Sequence, residues 1–262
     1  MAEQASSPLP WTTIELPSRG VLYGGRLPDG AVQIRKSSMY EMQTVREAGG
    51  DGIGIAEKIF ATFTKLPDGI KHEELLVTDR LALLIYQRVH NYGPMLTVNF
   101  LCKFCGKGNT SKVDMAADFN EQVAEPDLCE PFVVLLPDAK VPVGIRFRRG
   151  TDERMSLTRL KRKRLEAERS DRDEEKAANI DQTEALADML VAINGEDVGS
   201  NALKRRDFAR SISAADEVFL ASAIDKAEPG IDMRVLKNCR TCSGENRVEV
   251  ALTAEFFRPG AV

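Results

Sequence analysis

The chain has 262 residues, a formal net charge of −4, 43% hydrophobic residues and 29% charged residues. This composition is typical of a soluble globular protein, so it excludes a largely disordered chain and a wholly basic nucleic-acid-binding protein. The chain has only two histidines, His72 and His90, which excludes a site built from several histidine ligands. It has five cysteines, and four of them form two Cys-x-x-Cys pairs.

No targeting or membrane segment is predicted. Residues 1–10, which we expect to form a flexible tail, lack the basic start and the apolar stretch of a signal peptide. No apolar run approaches the ~18 residues that a membrane-spanning helix needs. We therefore expect the protein to be made and kept in a reducing cytoplasm, where paired cysteines bind metals more often than they form disulfides.

The first third of the chain predicts short strands and then three helices. Residues 11–34 alternate between polar and apolar positions and contain several turn signals, which is typical of strands. Helices are predicted at 37–48 and from residue 53 onwards, and a third, central helix begins at Thr78 or Asp79.

The rest of the chain predicts two groups of strands around a long helical stretch. The strands are expected at 95–101, 111–115, 132–136, 143–147, 231–236 and 247–252. Helices are expected throughout 151–227, and one of them buries an apolar stripe from Leu186 to Ile193.

The two cysteine pairs are Cys102 with Cys105 and Cys239 with Cys242. Each pair follows a predicted strand, carries Gly or Ser-Gly directly after its second cysteine, and precedes another predicted strand. Two such turns that face each other present four thiolates in a tetrahedron, which is the donor set of a closed structural zinc site. We predict that these four cysteines hold one structural Zn²⁺ ion, as in a zinc ribbon.

Other interpretations of the cysteines are two unrelated pairs or two redox motifs of the thioredoxin type. A redox Cys-x-x-Cys lies at a helix N-terminus, where the helix dipole lowers the thiol pKa, and neither pair precedes a predicted helix. Cys129 has no partner at ligand spacing, and we interpret it as a half-buried free thiol.

A zinc site of this kind predicts how the chain is organised. The metal would fix the strands after residue 230 to those around 95–115, although the two pairs are 137 positions apart. We therefore predict an α+β fold with a discontinuous mixed core at 11–150 and 230–262, which contains the zinc ribbon, and a helical insert at 151–229.

One segment of the predicted insert is strongly charged. Residues 159–176 contain eight basic and six acidic residues, and the basic run at 159–164 comes first. Opposite charges four positions apart are expected to pair as Arg162–Glu166, Arg164–Glu168, Glu168–Arg172 and Arg169–Asp173. We interpret the segment as a solvated helical arm, and the other interpretation is a docking surface for nucleic acid or an acidic protein.

The common catalytic motifs are missing from the sequence. There is no Walker A loop, no Gly-x-Ser-x-Gly elbow and no His-Glu-x-x-His. Neither histidine has a nucleophile beside it in sequence. We therefore expect a protein that is not an enzyme.

Several short segments share a pattern with one protein family. Residues 15–23 read Glu-Leu-Pro-Ser-Arg-Gly-Val-Leu-Tyr and match a Leu-Pro-Ser-Lys/Arg-Gly-x-x-Tyr motif. Further matching segments are 75–84, 92–94, the first Cys-x-x-Cys-Gly, 229–232 and 256–259. Together they resemble the baseplate hub assembly proteins of T-even-like tailed phages, in which the first motif opens the chain and 75–94 is the central helix.

The resemblance implies a non-enzymatic structural or assembly protein of a contractile-tail baseplate, near its hub. Such a protein acts through contacts with other baseplate and hub proteins and has no small-molecule substrate. It is found in the host cytoplasm during assembly and in the virion tail if it stays in the particle. The resemblance gives no catalytic residues.

Two other functions stay open from the sequence. The zinc ribbon together with the basic run at 159–164 suggests a nucleic-acid-binding adaptor, although the net charge of −4 and the lack of aromatic residues in that run argue against it. A thiol oxidoreductase is the third possibility.

Overall fold

A computed structural model describes residues 9–47, 52–169, 182–251 and 256. It has both helices and sheets, so the predicted α+β class is confirmed. Residues 1–8, which form most of the predicted flexible tail, lie outside the described residues. Within the described ranges, no helix combines the length and the apolar character that crossing a membrane would require.

The chain forms two compact units. The first consists of Met1–His72, Thr78–Val123 and Pro229–Val262, and the second of Glu73–Val77 and Ala124–Glu228. These bounds differ from those of the predicted core and insert. The main segment of the second unit begins at Ala124, ahead of the predicted insert, because the hairpin that follows this residue pairs with a strand from the middle of that insert.

The first unit opens with an antiparallel sheet in the order β1-β2-β3, formed by Trp11–Glu15 (β1), Ala31–Arg35 (β2) and Thr64–Lys65 (β3). Three helices occur in this part of the chain: Met39–Glu47 (α1), Gly52–Phe63 (α2) and Val77–Tyr92 (α3). All three helices were expected, the first from its capping residues and the other two from their apolar spacing. The prediction of a central helix is also confirmed, since α3 buries eight side chains.

Two buried polar contacts fix the N-terminal turns on α3. The fully buried carboxylate of Asp79 accepts hydrogen bonds from the Ser18 N–H at 3.2 Å and the Tyr23 hydroxyl at 2.6 Å. A buried carboxylate is stable only where donors replace the water it has lost, so these turns and the helix stabilise each other.

Three two-stranded sheets complete the first unit. Their pairs are Met95–Leu101 (β4) with Gly108–Asp114 (β5), Asn120–Gln122 (β6) with Gly230–Asp232 (β11), and Arg234–Asn238 (β12) with Glu245–Glu249 (β13). The β4–β5 and β12–β13 hairpins share one apolar cluster, in which Val113 is buried with Val235, Val248 and Val250.

The second unit has a four-stranded antiparallel sheet in the order β10-β9-β8-β7. Its strands are Phe132–Leu135 (β7), Pro142–Ile145 (β8), Leu190–Ile193 (β9) and Glu196–Asp197 (β10). Its helices are Gly150–Arg169 (α4), Gln182–Met189 (α5), Ala202–Ser211 (α6) and Ala214–Ala227 (α7).

The prediction of helices throughout 151–227 is wrong at strands β9 and β10. The apolar stripe expected to be helical up to Ile193 changes at Leu190 from helix α5 to strand β9, which pairs with β8. A short apolar run fits both the helical and the strand periodicity, and here pairing with the edge of strand β8 favours the strand.

Gly20 occupies a backbone position that excludes a side chain. Its φ of +77° lies in the left-handed region, and a Cβ atom there would lie 1.8 Å from the Leu27 carbonyl oxygen. Gly24 also has a positive φ, of +59°, but a Cβ atom there would meet nothing within 4 Å. Substitutions at Gly20 and Gly24 therefore separate the effect of backbone strain from that of steric overlap.

We predict that Gly20→Ala lowers the free energy of unfolding by about 2–5 kcal/mol, through left-handed strain and overpacking together. Gly24→Ala, the matched control, should cost only about 1–2 kcal/mol. Denaturant unfolding of both variants measures the difference. Equal losses would contradict the packing of this turn.

Candidate metal centre

The four predicted ligands lie in two equivalent turns. The first knuckle, residues 102–107, joins β4 to β5, and the second knuckle, residues 239–244, joins β12 to β13. The strand registers are equivalent too, since Leu101 pairs with Gly108 where Asn238 pairs with Glu245. The expected strand–turn–strand setting of both pairs is thus confirmed, and neither pair lies at a helix N-terminus.

Backbone hydrogen bonds close both knuckles in the same way. The Cys102 N–H donates to the Lys107 carbonyl at 2.9 Å, and the Cys239 N–H donates to the Gly244 carbonyl at 3.0 Å. The residue after the second cysteine has a positive φ in both, +69° at Gly106 and +58° at Ser243. This left-handed residue turns the chain back to the returning strand.

The four sulfur atoms converge on one point. The Sγ atoms of Cys102 and Cys242 are 3.6 Å apart, those of Cys105 and Cys239 are 3.7 Å apart, and all four lie within 4.8 Å of one another. Both short distances join one knuckle to the other. All four cysteines are free thiols, two of them buried and two exposed.

These distances fit a single tetrahedral metal ion. Zn–S bonds of about 2.3 Å place the sulfurs of a tetrahedron about 3.8 Å apart, close to the separations found here. The four thiols therefore form a cluster with room for one ion, and this cluster could bind a metal. With four sulfur ligands, no coordination position would stay open for water or substrate.

Backbone N–H groups favour the ionised form of the two buried thiols. The pKa of Cys239 is lowered to about 6, chiefly because the N–H groups of Cys242 and Thr241 point at its sulfur. Burial raises the pKa of Cys102, but N–H donors of its own knuckle lower it by more, so its pKa falls below the ordinary value.

Cys242 behaves in the opposite way. The Gly244 N–H lowers the pKa of this thiol, but burial and the three neighbouring thiols together raise it to about 12. Thiolates this close repel each other, so the last proton stays bound unless a cation replaces it. The cluster therefore needs a metal ion to hold four thiolates at neutral pH.

Two asparagines beside the cluster were not predicted from the sequence. Asn109 and Asn246 are both buried, and their side chains donate to the sulfurs of Cys239 and Cys102 at 3.5 and 3.6 Å. Each asparagine follows the first cysteine of its own pair by seven residues. That shared spacing is the signal that could have identified them.

The remaining candidates are placed elsewhere. Cys129 is exposed, not half-buried as expected, and does not belong to the sulfur cluster. The first residue of the basic run, Arg159, is held by two hydrogen bonds to Asp188, at 2.6 and 3.1 Å. The Arg162–Glu166 pair forms at 3.6 Å, and the other three predicted pairs include side chains outside the described ones.

Comparisons with known proteins add no relative. No protein-family model matches the sequence, and no curated protein and no solved structure is similar enough to it to match.

We predict that the affinity for a divalent metal falls as the pH falls, because each ligand must lose its proton before it binds. Near neutral pH, Cys239 is already largely ionised, whereas metal binding must still displace the proton of Cys242, whose pKa is raised. Below about pH 6 the metal must also displace the proton of Cys239, so the decrease becomes steeper. Competition with a chromophoric chelator from pH 5 to 8 measures this profile, and an affinity independent of pH would contradict thiolate ligation.

Proposed function

We propose that this protein is a non-enzymatic structural or assembly component of a contractile-tail phage baseplate, in the hub region. In this proposal it acts through protein–protein contacts on a scaffold that a structural Zn²⁺ ion stabilises. The observation that carries the proposal is the closed four-sulfur cluster, which joins two distant hairpins and leaves no position for chemistry.

In this proposal the metal is zinc, and the cluster does not suit an iron–sulfur centre of several iron atoms. A tetrahedral set of four thiolates is typical of Zn²⁺ or of iron–sulfur centres. Sulfurs that all lie within 4.8 Å of one another surround one ion and are too close together for a cluster of several iron atoms. A structural zinc site contributes about 10–16 kcal/mol of apparent binding free energy, which is folding free energy where the site forms only in the folded chain.

The segments that resemble the phage family meet on helix α3. Ser18 and Tyr23 of the N-terminal motif donate to Asp79, as described above. At the other end of α3, Arg88 is buried and its Nε donates to the Phe256 carbonyl at 2.7 Å. These contacts support structural roles for the segments, which is what a scaffold protein requires.

The charged helix supports the same interpretation. Arg159 is neutralised by Asp188, Arg154 pairs with Glu73 at 2.8 Å, and one i,i+4 pair lies on the exposed face. Basic side chains that are already paired are poor ligands for phosphates. These ion pairs support a role for helix α4 as a structural arm rather than as a nucleic-acid-binding surface.

We predict that zinc-loaded protein captures baseplate hub proteins from phage-infected cells, and that Cys102→Ser or Cys239→Ser greatly reduces the capture. Either change removes one ligand of the metal, so the two hairpins lose their link. Cys129→Ser is the matched control, since Cys129 is exposed and outside the cluster, and it should capture as well as the wild type. Mass spectrometry of the captured proteins is the measurement.

The same protein is tested for nucleic-acid binding at low salt by fluorescence anisotropy. Binding that weakens steeply with salt, without capture of baseplate proteins, would favour the nucleic-acid-binding adaptor. Failure to capture any baseplate protein would overturn the phage assignment, whereas the zinc content of the same preparation decides the metal site separately.

A further inference from the structure

Asn109 and Asn246 occupy equivalent places in the two hairpins. Each is the second residue of the strand that leaves a knuckle, β5 or β13, and each is almost completely buried, at 8% and 3% exposure. A buried side-chain amide is stable only when its donors and its acceptor find partners. Both asparagines satisfy this condition in the same way.

Each amide contacts its own knuckle and the opposite one. Asn109 Nδ2 donates to the Lys107 carbonyl of its own knuckle at 2.9 Å, and its Oδ1 accepts the Arg240 N–H of the opposite knuckle at 3.0 Å. The second hydrogen of Nδ2 is directed at the Cys239 sulfur of that opposite knuckle, at 3.5 Å.

Asn246 repeats the pattern in the other direction. Its Nδ2 donates to the Gly244 carbonyl of its own knuckle at 2.7 Å, and its Oδ1 accepts the Lys103 N–H of the first knuckle at 2.9 Å. Its remaining hydrogen is directed at the Cys102 sulfur at 3.6 Å. The two sets of three contacts are therefore reciprocal.

The chemistry of these contacts selects asparagine. The side chain must donate twice and accept once, which an amide does and a carboxylate cannot. Turning the amide over would place its oxygen against a carbonyl oxygen and a sulfur, so the observed orientation is the one that the surroundings favour.

We propose that Asn109 and Asn246 are reciprocal positioning residues of the metal centre, each of which holds the first cysteine of the opposite knuckle. This inference rests on the proposed metal site and deepens it. Each amide donates a hydrogen bond to a sulfur and so fixes the position of that ligand. Because each knuckle is completed by the other, the two halves of the site form together.

The test compares Asn109→Ala, Asn246→Ala and the matched control Asn238→Ala in the full-length zinc-loaded protein. Asn238 is exposed and directly precedes Cys239, so its loss should leave the site unchanged. Removing a hydrogen-bond partner of a metal ligand typically lowers metal affinity by roughly 10–100-fold. We expect a loss of zinc affinity of that size in Asn109→Ala and in Asn246→Ala. Zinc transfer to a chromophoric chelator measures the losses.

Alkylation of the cysteines by iodoacetamide, mapped by mass spectrometry, provides the readout that separates positioning from general stability. Asn109→Ala should raise the alkylation of Cys239 more than that of Cys102, and Asn246→Ala should raise that of Cys102 more than that of Cys239. A variant that merely loosened its own hairpin would give the reverse pattern, which would overturn the proposal. Affinities and alkylation equal to the wild type would overturn it as well.

The isosteric variants Asn109→Asp and Asn246→Asp serve if an alanine variant does not fold. Each keeps the size and the acceptor but loses both donors and brings a negative charge close to a thiolate, so the same crossed pattern is expected. Wild-type protein that holds no metal would overturn the metal centre and this inference together. If the wild type holds zinc and the asparagine variants match its zinc affinity and its alkylation, this inference alone is overturned.

Discussion

The convergence of four thiols from two distant hairpins is the constraint on which the first unit depends. The two knuckles are 137 positions apart, and the larger segment of the second unit, Ala124–Glu228, lies between them in sequence. Closing so long a loop costs conformational entropy, although the cost grows only slowly with length. A metal ion that bound only the assembled cluster would offset this cost, while the shared valine cluster of the two hairpins adds apolar burial.

The same constraint is compatible with the scaffold role that we propose. A closed four-sulfur site leaves no open position at which a substrate could bind the metal. The other buried ionic groups of the first unit also have structural partners, as Asp79 does in the N-terminal turns and Arg88 at the end of helix α3. Groups of this kind hold segments of the chain together, as the proposed scaffold role requires.

Much of this architecture could be predicted from the sequence, because local signals and tertiary structure agree there. The apolar spacing of α3 and the two Cys-x-x-Cys turns between strands are such signals. Strand β9 could not be predicted, because only pairing with β8 distinguishes its apolar run from the end of a helix. The shared spacing of Asn109 and Asn246 after the first cysteine of each pair could have marked them, but their roles depend on contacts across 130 and 144 positions, which the spacing does not reveal.

The most direct test of the account is the metal content and the metal environment of the purified full-length protein. From the proposed four-cysteine site we expect one zinc per chain by elemental analysis, with four sulfur neighbours at about 2.3 Å in the zinc X-ray absorption spectrum. We also expect a strong chelator to lower the melting temperature. A protein without bound metal, or one whose melting temperature a strong chelator leaves unchanged, would contradict the proposed site.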